Sequence, residues 1–99
     1  MEVRFGDDDL DRLETDPGFT GGHAPGVVKA FRKRMQFIRD APDERDFYSM
    51  GSVRFEKLKG ERDHQYSMRL NDQWRLILEF EGKHPNKVVV VVGIEDYHQ

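Results

Sequence analysis

The sequence predicts an α+β fold in which two helices pack on one face of a curved antiparallel sheet. Up to Asp40, apolar residues recur at the three- and four-residue spacing of amphipathic helices. From Val53 onward they alternate with polar residues, as in half-buried strands. A chain of 99 residues has room for one hydrophobic core, so we expect residues 1–99 to form a single domain.

The N-terminal segment predicts a short strand followed by a short helix. Glu2–Phe5 alternates polar and apolar residues and suits a strand. Asp7–Asp9 then places carboxylates where a helix start has unpaired N–H groups and favours negative charge. Leu10 and Leu13 are the apolar side of this helix, and Pro17 ends it.

The second helix is the clearest local prediction. Pro25 suits its first turn, and the sequence after Asp40 ends it with another proline. Its predicted buried face consists of Val27, Val28, Phe31, Met35 and Ile38. Its other face carries a basic stripe of Lys29, Arg32, Lys33 and Gln36. This stripe is either a solvated face or a contact surface for RNA or an acidic partner segment.

Four strand-like segments follow and predict an antiparallel meander. They are Arg54–Leu58, Gln65–Leu70, Trp74–Glu81 and Lys87–Ile94. Asn71 and the aspartate after it predict a tight hairpin. The uninterrupted valines of Val88–Val92 are typical of a strand covered on both faces. If the helices cover one face of this sheet, Arg69 and Arg75 lie close together on the other.

The charge is distributed unevenly along the chain. The net charge is -3, yet residues 1–16 contain seven acids and only two arginines. Val27–Arg39, in contrast, has five Lys or Arg residues and no acid. Because local fields guide a polyanion to one face of a protein, the overall balance does not exclude a nucleic-acid ligand.

Composition narrows the environment and the chemistry. The chain has no cysteine, which excludes disulfides and thiolate metal sites and is compatible with a reducing compartment. No apolar run approaches the roughly 20 residues of a membrane span, so we expect a cytoplasmic protein without a membrane partner. His23, His64 and His84 lack ligand-like spacing, and we expect neither a metal nor another cofactor.

Cationic side chains on the predicted strands, together with a histidine near the C-terminus, indicate chemistry on a phosphodiester. RNA cleavage by its own 2′-OH needs proton transfer and stabilisation of a crowded, negatively charged transition state. Lys59 and Arg75 would supply the charge, and His98 would move protons near neutral pH. Taken alone, a near-terminal histidine is usually an ordinary surface residue, and Trp74 belongs more naturally to the core than to a site.

Several short motifs, in this order and spacing, resemble a known group. They are Leu58-Lys59-Gly60-Glu61-Arg62, Tyr66-Ser67, Trp74-Arg75 and Glu95-Asp96-Tyr97-His98. Together they resemble the HigB-type "killer protein" branch of the RelE/ParE toxin superfamily, most strongly over residues 53–98. The resemblance implies a RelE-like fold, with a short N-terminal strand and two helices on an antiparallel sheet of about four strands.

The same resemblance implies a toxin of a type II toxin–antitoxin system. Such toxins enter the ribosomal A site and cut mRNA without metal, leaving a 2′,3′-cyclic phosphate and inhibiting translation. The implied partners are therefore the ribosome, mRNA and a cognate helix-turn-helix antitoxin. Two other functions stay open: a ParE-like inhibitor of DNA gyrase, and a non-catalytic regulator that binds RNA or the ribosome.

Carried over by position, the resemblance assigns catalytic roles to Lys59, Arg75 and His98. It assigns contacts with RNA, or support of the catalytic groups, to a second set: Arg62, Arg69, Asp96 and Tyr97. The chain departs from the family pattern at three positions. Glu56 stands where several relatives have a histidine, Asn71 where some have an arginine, and Gln73 where an asparagine is frequent.

Overall fold

The computed structural model describes residues 1–97. The elements, in chain order, are β1 (Glu2–Phe5), α1 (Asp8–Thr15), α2 (Pro25–Asp40), β2 (Glu56–Lys57), β3 (Tyr66–Arg69), β4 (Trp74–Glu81) and β5 (Val88–Asp96). Three short 3₁₀ helices lie at Glu44–Tyr48, Gly51–Val53 and Gly60–Arg62. Within residues 1–97, no helix is long and apolar enough to cross a membrane.

The sheet has five strands in the order β1-β5-β4-β3-β2, so the predicted number of about four was too low. β1 runs parallel to β5, and the other pairs are antiparallel, which makes the sheet mixed. Val3 pairs with Val89, and the backbone N–H of Gly6 donates to the carbonyl of Val91 at 2.8 Å. β5 therefore lies between two strands. Its central valines, Val89–Val91, are buried, including Val90, which faces away from the helices.

Both helices form where the sequence predicts them. The Asp7 carboxylate accepts a hydrogen bond from the backbone N–H of Leu10 at 2.9 Å and caps α1. All the residues of the predicted buried face of α2 are buried. They pack against the helix-facing side chains of the strands, among them Met68, Leu76 and Leu78.

The basic stripe of α2 is only partly a free surface. Lys29 and Lys33 are exposed, but Arg32 is half-buried. Its guanidinium donates to the carbonyls of Leu13 at 3.0 Å, Asp16 at 2.9 Å and Phe19 at 3.2 Å. Both interpretations of the stripe were therefore wrong for Arg32, because its donors bind the carbonyl groups at the end of α1.

The first predicted strand of the meander is shorter than expected. The residue Arg54 adopts a left-handed backbone with φ of 48°, which interrupts the extended chain before β2. The two 3₁₀ helices before it had no counterpart in the sequence prediction. They bring Phe47 and Val53 into the core, where both are fully buried.

A β-bulge sets the register of the C-terminal half of the sheet. Ile77 pairs with Gly93 and Leu78 pairs with Val91, so Val92 is the extra residue. An extra residue shifts which side chains share a face of the sheet. Beyond the bulge, the new register places Glu95 opposite Arg75.

Replacing Phe31 with alanine is expected to lower the free energy of unfolding by about 3–5 kcal/mol, since this ring is fully buried under the sheet. Urea denaturation followed by circular dichroism measures the change. Lys33→Ala, an exposed site on the same helix, is the matched control and should leave the midpoint nearly unchanged. Equal midpoints for the two variants would contradict this description of the core.

Candidate functional site

The candidate site lies on the face of the sheet that is turned away from the helices. Here Arg69 of β3 pairs with Arg75 of β4, which in turn pairs with Glu95 of β5. Side chains that are directly opposite on neighbouring strands are about 5 Å apart at their Cβ atoms. The predicted proximity of Arg69 and Arg75 is therefore confirmed by the register.

Arg75 is nearly buried, with 9% of its surface exposed. Its Nη1 atom donates to the backbone carbonyls of Asn71 at 2.9 Å and Trp74 at 3.3 Å. Its guanidinium carbon lies 4.0 Å from the centroid of the Tyr97 ring. Within residues 1–97 this guanidinium forms no salt bridge, so neutral groups hold it in place and its charge is not cancelled by a carboxylate.

A third arginine, which the motifs do not include, lies beside this pair. Arg34 of α2 donates to the backbone carbonyl of Arg69 from Nε at 3.2 Å and from Nη2 at 2.8 Å. Burial lowers the pKa of Arg34, and the nearby charge of Arg69 lowers it further. The Arg69 side chain pairs with the exposed carboxylate of Asp72. In the sequence, Arg34 is one of several cations of α2. The one signal that separates it from the others is that it directly precedes Met35, a residue of the predicted buried face.

The turn between β3 and β4 forms hydrogen bonds with the end of β5. The side-chain oxygen of Asn71 accepts hydrogen bonds from the backbone N–H groups of Gln73 at 2.9 Å and Trp74 at 2.8 Å. The Gln73 amide donates to the Asp96 carboxylate at 3.0 Å, and the Gln73 carbonyl accepts from the N–H of Tyr97 at 2.6 Å. Two of the departures from the family pattern thus have structural roles in this chain.

Lys59 lies in the segment that connects β2 and β3. It precedes Gly60, whose φ of 69° requires the left-handed conformation that glycine adopts readily. The Lys59 side chain is exposed. Among residues 1–97 it forms neither a salt bridge nor a side-chain hydrogen bond, so its ammonium group is available to an anion.

Arg62, in the same segment, binds Glu95. Its Nη1 and Nη2 atoms donate to the two carboxylate oxygens at 2.9 and 2.7 Å, and its Nε donates to the Gln65 side chain at 2.8 Å. The hydrogen bond to Glu95 raises the pKa of Arg62, because it stabilises the charged form. Gln65 donates to Glu79 of β4 at 2.8 Å. These contacts hold the segment against β4 and β5.

The HigB-like toxin family model, described as RelE-like toxin of type II toxin–antitoxin system HigB, matches residues 3–98. The chain belongs to this family. The resemblance seen in the motifs is thereby confirmed, and the protein is a toxin of a type II toxin–antitoxin system whose partner is a cognate antitoxin.

A solved structure supports the fold. The YoeB/ParE toxin from Agrobacterium tumefaciens is similar with a TM-score of 0.60 and 19% sequence identity, and the match covers 98% of this chain and 99% of that one. At this identity the likeness concerns the RelE-like fold alone. No curated protein matches the sequence.

The toxin's predicted site residues fall into three groups. Arg69 and Arg75 lie in one row, Asp96 and Tyr97 border it at the end of β5, and Lys59 and Arg62 lie in the segment above the open face. His98 lies outside the described residues. The catalytic and RNA-binding roles of all seven stay predictions.

Exposure differs across the toxin's site: Lys59 is exposed, whereas Arg75 is nearly buried. The described residues form a cavity of about 560 Å³ at the other end of the sheet, where Met1, Glu44 and Lys87 line it. Across residues 1–97, no group of three or more His, Asp or Glu side chains is arranged to hold a metal ion.

Replacing Asn71 with alanine is expected to lower the free energy of unfolding by about 1–2 kcal/mol, because two backbone N–H groups of the turn lose their acceptor. Urea denaturation measures the change. Asp72→Ala provides the control in the same turn: its side chain is 94% exposed, and its surface pair with Arg69 contributes little. Equal destabilisation by both substitutions would disprove the structural role of Asn71.

Proposed function

We propose that this toxin is a ribosome-dependent endoribonuclease, an mRNA interferase that cleaves mRNA in the ribosomal A site and so inhibits translation. The observation that supports this most directly is the environment of Arg75. Its guanidinium is nearly buried, fixed by two carbonyls and the Tyr97 ring, and lies in register with a second arginine. A fixed charge at an exposed face is organised in advance for a phosphate that gains negative charge during reaction.

The proposed reaction is the attack of an RNA 2′-OH on the adjacent phosphorus. The 2′-OH loses its proton to a base as its oxygen bonds to phosphorus and closes a 2′,3′-cyclic phosphate, while the bond to the 5′-oxygen breaks and that oxygen gains a proton and leaves as a hydroxyl. Arg75 and Lys59 stabilise the negative charge of the pentacoordinate transition state, and Arg69 supports them. Arg69 and Arg75 lie close together, and a bridging phosphate removes the cost of bringing like charges together.

His98 is the proposed proton-transfer group, as general acid or general base. It follows Tyr97 directly in the sequence. Asp96, which accepts a hydrogen bond from Gln73, is the proposed orienting carboxylate for the imidazole. Tyr97 has a ring that is 59% exposed and suits stacking on a nucleotide base. Glu56, on the edge strand β2, stands where several relatives have a histidine. His98 is therefore the histidine to which we assign proton transfer.

The proposed setting follows from the substrate. Ribosomes and translated messages place the activity in the cytoplasm. The antitoxin is proposed to be a helix-turn-helix protein that inhibits the toxin and represses their shared operon. Co-expression of the neighbouring gene product with the toxin, followed by affinity purification, tests whether such a complex forms.

Expression of the wild-type toxin in a bacterial host is expected to arrest growth and to produce codon-phased cuts in translated mRNA. Arg75→Ala, Lys59→Ala and His98→Ala should each reduce cleavage by roughly 10²–10³-fold, since each removes one charge or proton-transfer group from the transition state. Mapping of mRNA 5′ ends after induction measures the cuts.

Lys57→Ala is the matched control for Lys59→Ala, because Lys57 is an exposed lysine on the neighbouring strand β2. It should cleave like the wild type. Growth arrest with intact mRNA would refute the ribonuclease function, and loss of DNA supercoiling in the same cells would identify gyrase as the target. Ribosome binding without cleavage products would identify a non-catalytic regulator.

A further inference from the structure

The Arg62–Glu95 ion pair joins the two segments in which the proposed catalytic residues lie. In the sequence, Arg62 is three residues after Lys59, and Glu95 directly precedes Asp96, Tyr97 and His98. The two guanidinium nitrogens donate in parallel to the two carboxylate oxygens, at 2.9 and 2.7 Å. A two-bond pair of this kind fixes orientation as well as distance.

The pair reaches across the open face of the sheet. β4 lies between β3 and β5, so the strand that carries Glu95 is roughly 10 Å from the strand that the Arg62 segment enters. The Gln65 side chain anchors the same segment to Glu79 of β4 with a hydrogen bond of 2.8 Å. The segment is therefore held on the sheet at two places, and within residues 1–97 the contact between this segment and β5 is the Arg62–Glu95 pair.

We propose that Arg62 and Glu95 are positioning residues, whose ion pair holds Lys59 at a fixed place relative to Arg75 and the end of β5. This inference rests on the ribonuclease function proposed above. In this arrangement Arg62 acts through Lys59 and does not itself contact RNA, since its nitrogens already donate to Glu95 and Gln65. The rival role for Arg62 is a direct contact with RNA, as the motifs predict.

Because the Arg62–Glu95 pair is exposed, its effect on the position of Lys59 can be distinguished from an effect on the stability of the fold. Both side chains are 45% exposed, and exposed ion pairs contribute little to the free energy of folding. A catalytic group that is displaced by about 1 Å, however, slows its reaction by roughly 10²-fold. Loss of the pair should therefore change the rate of cleavage and leave the fold intact.

Glu95→Ala distinguishes the two roles. If Arg62 is held for positioning, the single-turnover rate on ribosomes programmed with mRNA falls by about 10–100-fold, while the ribosome concentration at half-maximal rate is unchanged. If Arg62 contacts RNA, its release from Glu95 leaves the rate unchanged or raises it, and that outcome overturns the proposal. Thermal unfolding of each variant verifies the fold.

The matched control is Glu81→Ala. Glu81 pairs with Arg4 across β5 at the other end of the sheet, and these side chains are exposed to a similar degree, 55% and 57%. Its loss should leave the cleavage rate at the wild-type value. Equal losses for Glu81→Ala and Glu95→Ala would overturn the proposal, because a general effect of surface charge would then explain both.

Two further measurements test the link to Lys59. In a Lys59→Ala background, Glu95→Ala should cause no further loss of rate, since the residue to be positioned is gone. The exchanged pair, Arg62→Glu with Glu95→Arg, should recover about tenfold relative to either single change. Additive losses, or no recovery in the exchanged pair, would contradict a positioning role.

Hydrogen exchange tests the pair without any activity. The backbone amides of residues 58–65 should exchange about tenfold faster in Glu95→Ala than in the wild type or in Glu81→Ala. Unchanged exchange overturns the proposal whatever the toxin cleaves. If the wild type cleaves no mRNA while the exchange differs as expected, the ribonuclease function fails and the restraint on the segment stands.

Discussion

The register of β4 between β3 and β5 is the constraint on which the candidate site depends. On the helix side of β4, Leu76 and Leu78 are fully buried in the core. A slip of one residue would turn both to the open face and bring Arg75 into the core, at a large cost in apolar burial. The hydrophobic core thus determines that Arg75 lies on the open face, between Arg69 and Glu95.

Backbone carbonyls hold two arginines of the site, Arg34 and Arg75, in place without neutralising their charge. Arg75 donates to the carbonyls of Asn71 and Trp74, and Arg34 donates to that of Arg69. A carbonyl satisfies a guanidinium N–H without cancelling the charge of the group, as a carboxylate would. Arg34 and Arg75 therefore keep their charge in a chain whose net charge is -3, whereas Arg69 and Arg62 are paired with the carboxylates of Asp72 and Glu95.

The charges outside the site bear on the substrate proposed above. Two other cations of α2 are paired with groups of the protein: Arg32 with backbone carbonyls and the exposed Arg39 with Glu14. Exposed acids in the first turn of α1 add negative charge away from the site. Affinity for free RNA grows with the number of phosphates that a protein neutralises. For the ribonuclease function proposed above, this charge distribution suits RNA that the ribosome positions better than free RNA.

The sequence by itself determined the two helices, the strands after residue 53 and the pairing of Arg69 with Arg75. Hydrophobic periodicity and a short hairpin are local signals, and they need no knowledge of distant contacts. The family motifs indicated the proposed chemistry by resemblance. These predictions agree with the structure because the spacing of apolar residues within each element specifies its buried face.

Only the tertiary structure decided the parallel pairing of β1 with β5, the capping role of Arg32 and the contact between Arg62 and Glu95, which are 33 residues apart. Arginine side chains are long and adopt many rotamers, so their spacing in the sequence does not select an acceptor. The partner is chosen when the folded backbone brings a carbonyl or carboxylate within reach. The physical reason is that apolar periodicity specifies which face of a helix or strand is buried. A charge pair instead depends on how far apart two side chains lie in the folded structure.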